Sequence, residues 1–199
     1  MSSIKADDVK KLRETTGAGM QDAHKALSDA DGDMEKAIDA LRKRGAIKQA
    51  KKSGRSAREG LVDCYVHGGR VGVLVEVNCE TDFVAKTDDF KNLVHEIALQ
   101  IAATAPIYVH REEVPAEIVE KEREVLREVA KSEGKPQAVA EKIVAGKLDK
   151  FFAEICLLEQ PTIKDPKQTI AQMLTDTVAR VGENIVITRF TRYQLGEEK

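Results

Sequence analysis

Asn78-Cys79-Glu80-Thr81-Asp82-Phe83-Val84-Ala85-Lys86 is where this 199-residue sequence breaks its own local rules. The run leaves a fully apolar segment and places Phe83 where a turn should lead into a helix. Two readings stand side by side. Phe83 can tuck back as a hydrophobic staple under the helix that carries Phe90. Alternatively, it is a presented aromatic wedge beside the Asp82 carboxylate, a composition common at binding hot spots.

Other groups able to do chemistry are dispersed. His24, His67, His95 and His110 lie far apart and lack short-spaced Cys or carboxylate partners, so no metal or nucleophilic site is expected. Cys64, Cys79 and Cys156 form neither a disulfide framework nor a zinc pattern, and free thiols are the expectation, with a bridge between subunits as the alternative. The run Asp29-Ala30-Asp31-Gly32-Asp33 looks calcium-like, but its glycine comes at the fourth position rather than the sixth and no Glu occupies the twelfth. It reads as an interhelical turn. No phosphate-binding loop, dinucleotide fingerprint, zinc-protease motif or nucleophile elbow occurs, so no enzyme and no cofactor is expected.

Eight basic residues and no acid occupy residues 42–58 (Arg42, Lys43, Arg44, Lys48, Lys51, Lys52, Arg55, Arg58). Clustered cations release counterions on binding phosphates, but this stretch holds no aromatic side chain to stack on bases. A solvated linker over residues 47–58 is the reading here, with no direct nucleic-acid contact.

The elements around these residues follow from periodicity. Val9 and Leu12, then Met20, Ala23 and Leu27, then Ile38 and Leu41 mark three short helices, with Asp33 as N-cap and Gly45 as C′ residue of the third. A three-helix module over residues 1–46 results. Residues 61–67 and 70–78 flank Gly68-Gly69 as a β-hairpin, with Val71, Val73, Val75 and Val77 on one face. Phe90, Leu93, Val94, Ile97 and Ile101 give an amphipathic helix over 88–103, capped by Asp88 or Asp89 and packed on that sheet.

Residues 115–158 read as an antiparallel helical hairpin turning at Gly134-Lys135-Pro136, with Val144, Leu148, Phe151 and Ile155 along its seam. Asp165, Pro166 and Gln168 suit the start of a last helix that buries Ile170, Leu174, Val178 and Val181 and stops at Gly182. Residues 184–194 then supply a third antiparallel strand. The fold class is α+β, with residues 59–199 as the core.

Composition narrows the function classes. Lys+Arg number 32 and Asp+Glu 34, so no net field draws the chain to nucleic acid or to anionic lipid. The N-terminus lacks an apolar signal segment, and the longest stretch free of charged residues, 97–110, is too short to span a bilayer. A cytoplasmic protein without membrane contact is expected.

Five blocks, in order along the chain, resemble one family: LRETTGAGMQDAHKAL, GDMEKAIDALRKRGAIKQAKK, EVNCETDFVAK, the SEGKP helix turn and VGENIVITRF. That family is bacterial elongation factor Ts, the guanine-nucleotide exchange factor of elongation factor Tu. The resemblance implies a ubiquitin-associated-like (UBA-like) N-terminal module, a basic linker, an α+β core with a helical hairpin, and a role in translation elongation. It also implies that Thr81, Asp82, Phe83 and Val84 dislodge Mg²⁺ from the partner's nucleotide site. Leu12, Met20 and Lys52 match positions that contact the partner. Members often read LRxRTGAGMMDCKKAL, whereas Thr15, Gln21, Ala23 and His24 depart from that pattern here. Longer members duplicate the core and this chain carries one copy, resembling short forms that dimerise; a homodimer is expected.

Overall fold

The computed structural model describes residues 4–132 and 136–197. In chain order the elements are α1 (Ala6–Thr16), α2 (Met20–Asp29), α3 (Met34–Lys52), β1 (Glu59–His67), β2 (Val71–Cys79), α4 (Asp82–Ala85), α5 (Asp88–Thr104), α6 (Ala116–Ser132), α7 (Gln137–Ile155), α8 (Ile170–Val181) and β3 (Ile185–Gln194). The class is α+β, as the sequence predicts. Two compact units result, one of Met1–Ala98 with Ala171–Lys199 and the other of Leu99–Ile170.

In the first unit, α1, α2 and α3 bury Val9, Leu12, Ala23, Ala26, Leu27 and Ala37 in one cluster. These are small or aliphatic side chains, so the helices meet through ridges of modest depth. Asp33 caps α3 by accepting from the Lys36 amide at 3.1 Å. The preceding Asp-rich run is a turn, with Asp31 and Gly32 at positive φ, and Asp29 pairs with Arg44 at 2.8 Å.

Gly45 does not end the third helix, contrary to the sequence expectation. α3 continues to Lys52, so residues 47–52 of the expected linker are helical. The reason is tertiary. Gly45 is buried, and a Cβ there would stand 3.3 Å from Thr175 Cγ2 on α8, so glycine serves close helix approach rather than a left-handed cap. One turn later, the Gln49 side chain accepts a hydrogen bond from Thr175 Oγ1. Contact with α8 thereby extends a helix that sequence signals alone would stop.

The sheet has the order β1-β2-β3 and is antiparallel throughout. Gly68 and Gly69 turn the hairpin at φ 55° and 69°, with the Arg70 amide donating to the His67 carbonyl at 2.9 Å; His67 pairs with Val71, so three residues, 68–70, join the strands rather than the two the sequence suggests. A bulge at the Glu76/Val77 step leaves Thr188 out of register, and Thr188 Oγ1 bonds the Asn78 side chain there. One face carries buried Val73, Val75, Val77 and Ile187. α5 lies over that face at β1, where the His95 ring meets Tyr65 edge-on at 6.1 Å and its Nδ1 stands 3.7 Å from Asp63. Thr87, not Asp88 or Asp89, caps α5, its Oγ1 accepting from the Phe90 amide at 3.3 Å. Thr87 Oγ1 also donates to the Val84 carbonyl at 2.7 Å, so one hydroxyl both starts α5 and closes the turn before it.

In the second unit, α6 and α7 pair around Leu148, Phe152 and Cys156, with Phe151 and Ile155 partly buried beside them. Gly134 and Lys135, expected at the turn of this hairpin, lie outside the described residues. Arg111 holds the base of α7, with its guanidinium 4.3 Å from the centre of the Phe152 ring and hydrogen-bonded through Nε to Glu159 at 2.6 Å.

Asp165, Pro166 and Gln168 do not start the last helix. Asp165 Oδ1 accepts from the Lys167 amide at 3.0 Å, its carbonyl accepts from the Gln168 amide at 2.9 Å, and Pro161 bridges to Thr169. The Asp-Pro pair therefore closes a loop, and α8 begins only at Ile170.

Candidate functional site

Residues 81–84 form the N-cap and first three residues of α4, a helix of one turn that cannot be stable on its own. Its anchors are explicit. Thr81 Oγ1 accepts from the Val84 amide at 3.4 Å, Cys79 Sγ donates to the Thr81 carbonyl at 3.1 Å, and Val84 and Ala85 are buried underneath. Phe83 points the other way and is 78% exposed. The staple reading is thereby excluded, since Phe90 is fully buried without any cover from Phe83. An exposed phenyl ring on a pinned turn can enter an apolar crevice of another molecule at little cost in ordering.

Asp82 stands beside that ring. The Lys86 ammonium, 2.6 Å from Asp82 Oδ2, donates to the carboxylate and holds its pKa below the usual aspartate value, and the same pair raises that of Lys86. Both side chains are exposed, so the pair fixes the surface beside the Phe83 ring and adds little stability. Beneath it, burial and then the Glu183 charge push the Cys79 thiol up to about 11, so Cys79 is a neutral hydrogen-bond donor and no nucleophile.

The turn is tied to the chain between α8 and β3 by residues the sequence did not single out. Glu183 Oε2 accepts from the Glu80 amide at 3.1 Å and the Thr81 amide at 3.0 Å, while Oε1 accepts from Thr81 Oγ1 at 2.7 Å. In return the Asn184 amide donates to Glu80 Oε1 at 2.7 Å. The Asn184 side chain is buried and donates to the Arg55 carbonyl at 3.0 Å, and the Arg55 guanidinium lies 3.5 Å from Glu80. Arg55 thus belongs to the support of the turn rather than to a free basic arm. The available sequence signal was the block VGENIVITRF, which contains both Glu183 and Asn184; nothing in spacing pairs them with residues about a hundred positions away.

The other predicted contact residues belong to α1, α2 and α3. Met20, at the start of α2, is 54% exposed and lines an open groove of about 780 Å³ with Val9, Lys10, Arg13 and His24. Leu12 is fully buried in the helical cluster, so it has no surface to offer a partner and can act only by holding α1 against α2. Lys52 is the half-buried last residue of α3. The uncovered face of the sheet exposes Val62, Val66, Leu74 and Tyr193, with Cys64 among them.

Among the described residues, no group of three or more His, Cys, Asp or Glu is placed to hold a metal ion, and no helix is long and apolar enough to cross a membrane.

Residues 3–197 match the family described as Elongation factor TS. Elongation factor Ts of Carboxydothermus hydrogenoformans is 60% identical over 195 residues, covering 98% of this chain and 90% of that protein. The protein of the same name from Moorella thermoacetica is 59% identical over 195 residues, covering 98% and 96%. That from Caldanaerobacter subterraneus is 57% identical over 195 residues, covering 98% of each.

Proposed function

The chain belongs to the elongation factor Ts family of translation elongation factors, and on that basis we propose that it is a guanine-nucleotide exchange factor that binds elongation factor Tu·GDP and promotes GDP release. The observation that carries this reading is Phe83: a large apolar ring, 78% exposed, on a turn whose backbone is pinned. GDP is held by its partner largely through phosphates and Mg²⁺, whose octahedral shell tolerates little displacement. Phe83 enters between helices of the partner and shifts them. The metal shell is thereby disturbed, with Asp82 and Thr81 at the rim and Val84 as the buried root of the wedge. No covalent step is involved. Because the factor and the nucleotide each weaken the other's binding, the antagonism is reciprocal, and abundant GTP expels the factor in turn.

The α1–α3 module supplies the second contact, through Met20 and the groove beside it and through Lys52 at the end of α3. Leu12 contributes by keeping that groove in shape. A third surface, the uncovered sheet face with Val62, Val66, Leu74 and Tyr193, is covered by a second copy of the chain, and the working form in the cytoplasm is a homodimer. Contiguous apolar side chains on a sheet face are seldom left to water. Light scattering at micromolar concentration, with and without reductant, should return a dimer mass in both; a monomer in both removes this part of the reading.

The deciding experiment is release of a fluorescent GDP analogue from elongation factor Tu, chased with excess GTP, with this protein and with its Phe83→Ala variant. Faster release that weakens in the variant is the expected result. Equal acceleration by both would keep exchange and move the wedge elsewhere, and no acceleration by either would overturn the function.

A further inference from the structure

Glu183 makes three hydrogen bonds to the turn that carries Phe83, and its own side chain is half-buried. Both of its oxygens are committed. Oε2 takes two consecutive backbone N–H groups, those of Glu80 and Thr81, and Oε1 takes the Thr81 hydroxyl proton. Only an ionised carboxylate offers acceptors on both sides; an amide of the same shape presents one oxygen and, opposite it, N–H donors.

The direction of the Thr81 hydroxyl follows from this. Thr81 Oγ1 has one proton, and giving it to Glu183 leaves the oxygen as the acceptor that caps α4 at the Val84 amide. Glu183 therefore reaches α4, and the angle at which α4 carries Phe83, through a single intermediary. The Asn184 amide closes the clasp from the other side on Glu80 Oε1, so the turn before α4 and the turn before β3 hold each other.

We propose that Glu183 is a positioning residue for nucleotide exchange: it sets the orientation of the Thr81-capped turn that presents Phe83, without itself meeting the partner. This rests on the exchange function proposed above. With the carboxylate removed, the turn samples other orientations while the α1–α3 module still docks. The bound factor is then competent for only part of the time, which lowers the maximum rate and leaves the half-saturating concentration nearly unchanged.

The test uses the whole 199-residue chain as Glu183→Gln, Thr81→Ala and the double variant, each titrated against elongation factor Tu loaded with fluorescent GDP. Glu183→Gln should lower the maximum stimulated release about tenfold, the size of losing one hydrogen bond to a charged group. The half-saturating concentration should move less than about threefold, since the other contacts persist. The double variant should be no worse than the poorer single variant within about threefold, because both changes break the same chain of contacts. Amide hydrogen exchange on the free protein supplies the independent readout. Thr81 and Val84 should lose protection in Glu183→Gln while the sheet and α1–α3 keep theirs. An unchanged maximum rate, multiplicative losses in the double variant, or a uniform loss of protection across the fold would each overturn the proposal. If the unaltered protein fails to stimulate release, the exchange reading falls and takes the functional role of Glu183 with it, whereas intact exchange with unaffected Thr81 and Val84 protection overturns the positioning role alone.

Discussion

Phe83 and Phe90 lie seven residues apart, each just inside the start of a helix capped by a threonine, and they have opposite fates. Thr81 caps α4 and Thr87 caps α5, yet Phe83 is 78% exposed and Phe90 is fully buried. The difference comes from what each helix packs against. α5 is a long amphipathic helix over the valine face of the sheet, so its first apolar residue enters the core. α4 is one turn long and buries only Val84 and Ala85, so Phe83, next to Val84 in the chain, is turned away from that contact. A short helix thus serves as a mount, holding one apolar ring outward, while the neighbouring helix supplies the stability on which the mount depends.

Truncating the two rings should separate these roles. Phe90→Ala should cost about 3–5 kcal/mol of unfolding free energy, a large share of what a domain of this size possesses. Phe83→Ala should stay within about 0.5 kcal/mol, as surface substitutions do, while slowing stimulated GDP release. Urea unfolding of both variants beside the release assay checks the pair; comparable destabilisation would mean that the exposed ring has a packing role after all.

The same contrast recurs in the α1–α3 module. Leu12→Ala should destabilise by about 2–5 kcal/mol through the cavity it leaves. Met20→Ala should leave the melting temperature in place and weaken affinity for elongation factor Tu by about 1–2 kcal/mol, the range of a moderate hot spot. Calorimetric titration together with thermal melts distinguishes the two, and a Met20 variant of unchanged affinity would remove the groove from the interface.

A finer probe is thiol reactivity. Cys79 and Cys156 are buried, each with its pKa pushed up to about 11 chiefly by burial, and Cys64 is exposed on the open sheet face. At pH 8, in the monomer or at low concentration, one thiol should react quickly with an aromatic disulfide reagent and two only on unfolding. If covering of the open face by a second copy is correct, raising the concentration should slow the fast thiol as well. Three equally fast thiols would show that the mount is looser than its hydrogen bonds imply.

The smallest effect concerns the rim of the wedge. The Asp82 carboxyl is held below its ordinary value by Lys86, so the pair contributes fully above the unfolded carboxylate pKa and loses its contribution as pH falls through the lowered folded value. Lys86→Met should therefore raise the Asp82 titration midpoint toward that of a free aspartate, read by side-chain NMR. Identical midpoints in both proteins would dissolve the pair. At neutral pH, exchange by this variant should change less than about twofold, because exposed pairs of this kind add little.

Much of the arrangement is legible from residue types. Val71, Val73, Val75 and Val77 announce a strand with one apolar face, Gly68-Gly69 its hairpin, and Phe90 to Ile97 the helix above it, because each signal is local and repeats with a fixed period. The oddity of Phe83 after an apolar strand is equally visible, though two readings of it survive until burial is known. Local signals failed where a distant partner decides. Gly45 looks like a helix stop and is instead a point of close contact with Thr175; at Asp165-Pro166 the failure is itself local, since the residues of a helix start close a tight loop on Lys167 and Gln168 instead. Leu12 matches a partner-contacting position and is buried inside the module.

The sequence by itself determined the α+β class, the family that its five motif blocks match and the anomaly of an aromatic residue at position 83, because periodicity and residue chemistry are properties of neighbours along the chain. Only the tertiary structure decided which way Phe83 points and what holds it there. Glu183 and Thr81 are 102 positions apart, and their contact exists only once β3 has paired with β2 and brought the turn ahead of it beside the end of that strand. Such a long-range contact leaves no periodic trace, since its cost is loop closure and its reward comes only with the assembled sheet.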